Sequence, residues 1–231
     1  MTLMENIVFI DIETVSQVQN FSELPPHMQN LWAKKQSYTI ERDNITPEQL
    51  YNEKAWIYAE FGKIVCIVIG FYKETNWHTE LVTKTFSNDD EKLLLTDFSQ
   101  TIRDWSQQYI FCGHNILEFD LPYLGRRMLV NQLPLPSILQ LQNKKPREIM
   151  HRDTMEMRKF GDRKSYTSLE LLAAIFNIPT PKDDISGKDV NRVYHEEKNL
   201  ERICTYCEKD VRVTAQVYFA ITQQYSKIDT I

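Results

Sequence analysis

Residues 6–14 read NIVFIDIET, and the order of residue types in this stretch decides what the rest of the chain can be. From Asn6 to Ile12 both alternating faces are largely apolar, as in a strand covered on two sides rather than one. The stretch then breaks its own pattern. Asp11 and Glu13 stand two apart, so they share the face of Ile7 and Phe9 and project together at the end of a buried strand. Neighbouring anions held out of water repel each other and lose hydration unless a proton or a cation intervenes. Oxygen ligands at this spacing suit a hard divalent ion. A strand end that reaches solvent through a turn at Thr14 fits the same residues, and the pair alone leaves both possibilities open.

Working outward, Lys63 to Tyr72 (KIVCIVIGFY) reads as a β-branched strand, with Trp77 to Phe86 as its partner across a turn at Glu74–Asn76. Asp89 to Trp105 has a helical pattern, with Leu93, Leu94, Phe98, Ile102 and Trp105 on one side. Tyr109 to Cys112 is a short strand ending at Gly113, and Pro122 suits the opening turn of a helix. Ile149 to Met155 is a further strand candidate. Thr167-Ser168-Leu169-Glu170 has the spacing of a capping box before LLAAIF, and Asn199 to Tyr225 reads as a long final helix. Residues 16–60 are more polar, with Pro25-Pro26 and helical stretches near 28–36 and 47–58, and read as an insertion. Strands interspersed with helices, without an internal repeat, predict one three-layer α/β domain over residues 1–231.

Composition narrows the function. With 42% hydrophobic and 26% charged residues, the 231-residue chain can bury a core of its own. No apolar run is long enough for a membrane span and no signal peptide is visible, so the expectation is a soluble, cytoplasmic protein without a membrane partner. The four cysteines, Cys66, Cys112, Cys204 and Cys207, sit among apolar or helical neighbours and read as reduced thiols, with the Cys204–Cys207 spacing assigned to helix packing. A net charge of −5 excludes a protein that coats nucleic acid through a basic surface. It leaves room for an enzyme that meets a polyanion through bound cations. The first 60 positions hold only four basic side chains against nine acidic ones, whereas Lys144, Lys145, Arg147, Arg152, Arg158, Lys159, Arg163 and Lys164 form a basic band that is either a solvated face or a rim guiding a strand.

The final helix sharpens the choice at Asp11 and Glu13. At ~100° per residue, Leu200, Ile203, Cys207, Val211, Thr214, Tyr218 and Ile221 make one stripe, with Glu201, Thr205, Glu208, Lys209, Arg212 and Gln216 opposite. Asp210 falls within the apolar stripe, and Tyr206 stands one turn before it. A carboxylate on a buried face needs a partner. Asp120, ahead of Leu121-Pro122, either caps its own helix or brings a third segment to the same cleft.

Together FIDIET (Phe9 to Thr14), HNILEFDLPYL (His114 to Leu124) and YCEKD (Tyr206 to Asp210) resemble, in order and separation, the three motifs of the DEDDy-type 3′–5′ exonucleases. The middle motif is most similar to that of the proofreading domain of family B DNA polymerases. The resemblance runs from residue 5 to about 222 and implies an RNase H-like fold with a mixed, mainly five-stranded sheet flanked by helices. It implies a stand-alone exonuclease that releases nucleoside 5′-monophosphates from single-stranded or frayed DNA 3′ ends. Asp11, Glu13, Asp120 and Asp210 would hold two divalent ions, Mg²⁺ or Mn²⁺, and Tyr206 would orient the attacking water, since an ordinary phenol is a poor base. Ile12, Thr14, Asn115 and Phe119 would meet the terminal nucleotides. An exoribonuclease and a catalytically inactive nucleic-acid-binding module on the same fold are the alternatives.

Overall fold

In the computed structural model of the chain, which describes residues 6–74, 79–105, 109–162, 166–180 and 185–224, the stretch that opens the sequence is the middle of everything. It forms strand β1, Ile7–Ser16, which ends four residues beyond the apolar run, because the carboxylates continue the strand instead of ending it. β2 (Gly62–Glu74) and β3 (Thr79–Ser87) follow, then the short β4 (Ile110–Gly113) and β5 (Arg152–Asp153). The sheet order is β3-β2-β1-β4-β5. The β1–β2 and β2–β3 pairs are antiparallel, whereas β1–β4 and β4–β5 are parallel.

Alternation along β1 sorts the core into two layers. Val8, Ile10 and Ile12 join Ile64, Ile67 and Ile69 of β2 beneath α4 (Glu91–Ile102) and α5 (Asp120–Val130). Ile7, Phe9 and Val15 join Val65, Cys66 and Val68 on the other face, under α9 (Leu200–Ile221). This is the expected three-layer RNase H-like arrangement. Asp90 caps α4 through the Lys92 and Leu93 amides. The Arg127–Glu91 ion pair is deeply buried: Glu91 accepts from Arg127 Nε and Nη2 and also from the Ile64 amide, tying α4 and α5 to β2.

Between β1 and β2 lie α1 (Pro26–Lys35), α2 (Ser37–Asp43) and α3 (Pro47–Lys54), followed by a 3-10 turn at Ala55–Ile57. They close on their own small core around Trp32, Leu50, Tyr51 and Phe61. The ends of the excursion meet, since the Gln17 amide donates to the Phe61 carbonyl at 2.8 Å.

Several local expectations change. Leu93 is 57% exposed and does not join the α4 stripe. The strand expected over Ile149–Met155 shrinks to β5, because Asp153 accepts from the Met155 and Glu156 amides and starts α6 (Thr154–Lys159) instead. No capping box forms on Thr167, whose carbonyl is bonded to His114; Ser168 is the cap of α7 (Leu169–Ile175). Gln216, expected on the open face, is only 5% exposed, because the end of α9 is covered both by the sheet and by α7. A short α8 (Val190–Arg192) and a π turn at Val193–Glu197 lead into α9. The remainder of the turn expected at Glu74–Asn76, Trp77, the Arg163–Lys164 end of the basic band and Tyr225 lie outside the described residues. Among the described residues no helix is long and apolar enough to cross a membrane.

Candidate active site

The site starts from an irregularity between two strands. Glu13 pairs with Cys66, but Thr14 pairs with Ile64, so Val65 is an extra residue on β2. Such a bulge bends a strand and re-aims the side chains beside it. Asp11 and Glu13 lie just before it, on the face covered by α9, with Asp11 half-buried and Glu13 buried.

Asp120 arrives from the other side. β4 ends at Gly113, so beyond the Phe9–Cys112 pair this edge of β1 has no neighbouring strand. The Ile12 amide, left without a ladder partner, donates instead to Asp120 Oδ1 at 3.2 Å. Of the two alternatives for Asp120, the bridge to another segment is the one formed, and no side-chain cap bond is made at the start of α5 by Phe119. The bridge needs a tight turn between β4 and α5. At Gly113 a Cβ would lie 2.0 Å from Ile116 Cγ2 and 2.7 Å from the Ile10 carbonyl oxygen, so only glycine lets residues 114–117 fold back here.

Asp153 holds that turn. Its carboxylate accepts from the Asn115 and Leu117 amides, both at 3.0 Å, as well as from α6. His114 adds a second tie. Its Nε2 bonds the Thr167 carbonyl at 2.9 Å, so that nitrogen carries the proton and Nδ1 is left to accept from the Thr154 hydroxyl. Burial lowers the His114 pKa and keeps the ring neutral. Reading residues 149–155 as a strand hid this role of Asp153; the Asp-x-x-Glu spacing of Asp153 and Glu156 was its signal.

From α9 come Tyr206, Cys207 and Asp210. The Tyr206 hydroxyl donates to Asp210, and burial with the charges of Asp210, Glu13 and Asp11 drives its pKa far up, so the phenol keeps its proton. Burial raises Asp11 well above the carboxylate range, and the charges of Asp120 and Asp210 raise it further. Glu13 is raised by burial and then by Asp11, Asp210 and Asp120. Asp120 is pushed up to about 7 by burial, against its own amide and that of Ile12, which favour the charged form. Four carboxylates from β1, α5 and α9 thus converge and resist each other's ionisation.

Cys207 is the residue that its place in an apolar stripe concealed. Its thiol donates to Asp11 Oδ2 at 3.2 Å, and ligand atoms of Asp11, Glu13 and Cys207 lie within 4.8 Å of one another. Cys66 is hydrogen-bonded to both Cys204 and Cys207, so a line of free thiols backs the carboxylates. The donor set fits divalent cations: it is anionic, it is rich in oxygen, and its charges oppose one another until a cation joins them.

The substrate-side expectations divide. The Ile12 side chain lies in the core of the opposite face, and the Thr14 hydroxyl, also turned that way, donates to the Trp56 carbonyl at 3.0 Å. Both side chains thus face away from Asp11 and Glu13, because alternate strand residues point apart. Asn115 is half-buried in the left-handed conformation at φ 63°, and Phe119 is half-buried with its ring 5.4 Å from that of Tyr123.

Comparison with protein families matches residues 54–230 to a family described as a predicted 3′-5′ exonuclease related to the exonuclease domain of PolB. That span holds Asp120, Tyr206 and Asp210, and leaves out Asp11 and Glu13 on β1. Among curated proteins nothing matches.

Proposed function

Because the chain belongs to the family of predicted 3′-5′ exonucleases related to the exonuclease domain of PolB, we propose that it hydrolyses phosphodiester bonds at single-stranded or frayed DNA 3′ ends, releasing nucleoside 5′-monophosphates. The convergence of Asp11, Glu13, Asp120 and Asp210 from three separate elements carries this reading. These four residues would hold two divalent cations, Mg²⁺ or Mn²⁺. Bound there, the cations supply the charge neutralisation and Lewis acidity that phosphodiester hydrolysis requires.

The remaining roles belong to the chain itself. Tyr206, protonated and fixed by Asp210, directs its hydroxyl at the attacking water and does not act as a base. Glu13 accepts a hydrogen bond from that water or from the terminal hydroxyl of the substrate. The bond from the Ile12 amide holds Asp120 at the cluster and ties α5 to β1. Asn115 and Phe119, at the mouth of the turn held by Asp153, would contact the terminal nucleotides. A duplex end must unpair to enter, which costs a few kcal/mol, so single strands and mismatched ends are cut faster.

Digestion of end-labelled oligonucleotides tests the assignment. With Mg²⁺ or Mn²⁺, nucleotides should leave from a free 3′ end, DNA faster than RNA, and EDTA should stop the reaction. Release from the 5′ end, or hydrolysis that survives chelation, would overturn it. Faster digestion of RNA would move the substrate to ribonucleic acid and keep the polarity.

A further inference from the structure

Past the end of α6 the chain takes a conformation that works against folding. Phe160 sits in the left-handed region at φ 47° and ψ 36°, which a bulky side chain rarely enters, and Gly161 follows at φ 86°. The ring carried there is 93% exposed. Strain and exposed apolar surface at one residue are both avoidable, since glycine at 160 would relieve the two together. A second aromatic, Tyr166, is 64% exposed, and the Lys159 ammonium lies 4.3 Å from its ring centroid. Lys159 is itself buried and paired with Glu156 at 2.5 Å, so its ammonium stands over the Tyr166 ring from within an ion pair.

The location connects this surface to the carboxylates. α6 begins at Asp153, whose carboxylate holds the Asn115–Leu117 turn, and at its other end Lys159 feels the charge of Glu118, two residues before Asp120. At about 1.5 Å per residue the six residues of α6 span about 9 Å, so Phe160 stands one short helix away from Asp153 and the turn it holds. Exposed cations flank it along the chain: Arg152 stands immediately before Asp153, and Lys144, Lys145 and Arg147 precede it. Exposed aromatic faces, with cations supplied by the preceding segment, complement unpaired bases on a polyanionic backbone.

We propose that Phe160 and Tyr166 form a stacking platform for unpaired bases of the strand whose 3′-terminal nucleotide occupies the carboxylate site. The inference rests on the exonuclease reading and extends it to how the enzyme grips the strand behind the scissile bond. Stacking reads no sequence, so the platform accepts all bases.

The test uses the full chain and 5′-labelled ten-nucleotide strands of DNA and of RNA, with binding followed by fluorescence anisotropy in EDTA. Phe160→Ala should weaken binding about 5- to 150-fold, and Phe160→Gly should do the same. Phe160→Gly should also raise the melting temperature by ~2–4 °C, because it relieves the left-handed strain; a loss of binding in a more stable protein is not a folding defect. A DNA strand with abasic sites behind its terminal nucleotide should bind wild type and Phe160→Ala alike. Weakening on DNA alone or RNA alone would assign the platform to that strand. Wild-type affinity in both Phe160 variants, or equal losses on normal and abasic strands, would overturn the platform. Digestion by the wild type with Mg²⁺ keeps the two readings apart. If digestion proceeds and Phe160 has no effect, the platform alone falls; if the wild type neither digests nor binds, the exonuclease reading falls with it.

Discussion

Replacing Asp120 with asparagine isolates the electrostatic stress in the carboxylate cluster. Asparagine keeps an Oδ1 acceptor for the Ile12 amide and nearly the same shape, so the two proteins differ by one ionisable group and by the charge with which it raises Asp11 and Glu13, an effect of the same sign. Burial raises that group from 3.8 to about 7. A carboxyl whose folded pKa is above its unfolded value stabilises the fold fully below the unfolded value, and the contribution is lost as pH rises through the folded one. For Asp120 the window therefore runs from about pH 4 to about pH 7, and ~1.4 kcal/mol per unit gives ~4 kcal/mol in all. Between pH 5 and pH 8 about 3 kcal/mol of this is traversed, or ~6–12 °C in melting temperature for a chain of this size. His114, His151 and His195 act in the opposite sense, since burial lowers each pKa and removes stability as pH falls below about 6.5. They are common to both proteins and cancel in the difference. Melting curves in chelator should show the wild type losing ~6–12 °C relative to Asp120→Asn between pH 5 and pH 8. Saturating Mg²⁺ at pH 8 should restore more to the wild type than to the variant. A melting-temperature difference that does not change with pH would refute the reasoning, because Asp120 would then ionise alike in folded and unfolded chains.

Asp210→Asn should reduce single-turnover hydrolysis at least about a thousandfold with an unchanged circular dichroism spectrum, and near-wild-type turnover would remove α9 from the site. Tyr206→Phe should lower kcat ~10- to 100-fold while the midpoint of a Mg²⁺ titration stays put, because only the hydroxyl beside Asp210 is lost. Arg127→Met leaves the buried Glu91 without its ion-pair partner, and urea denaturation should show a loss of ~3–5 kcal/mol. Gly113→Ala should destabilise by ~1–3 kcal/mol and slow hydrolysis as well, since the methyl group displaces Ile116 and the turn leading to Asp120.

How far the sequence discloses the molecule depends on how local each cause is. β1 is legible because its two faces are both buried, and the carboxylates of Asp11 and Glu13 are visible because they interrupt that pattern. Their inclusion within the strand is not, since acidic residues are poor strand formers and only the pairing with Val68 and Cys66 keeps them extended. The bond from Ile12 to Asp120 is invisible for a related reason: it exists because β4 stops at Gly113, and the length of one strand is not written in another. α2 escapes notice because SYTIERD has no apolar stripe, and no residue of it is buried. Gln216 misleads because a helix covered from two directions no longer has a single buried stripe. Phe160 is plain as a residue and opaque as a site, since neither its backbone angle nor its exposure follows from its neighbours.

The Cys207 thiol gives the carboxylate cluster a spectroscopic reporter. Sulfur–hydrogen stretching absorbs in an infrared window where protein and water are nearly transparent, and the band moves to lower frequency as the hydrogen is donated more strongly. Here the acceptor is Asp11 Oδ2, at 3.2 Å. A cation that engages Asp11 changes the proton and charge on this acceptor, so the band should shift as the ion binds. The thiol is buried, and burial raises its pKa, so it remains protonated across the working range and keeps its signal. Ion occupancy at the centre of the fold can thus be followed in the unmodified chain, without nucleic acid and without turnover.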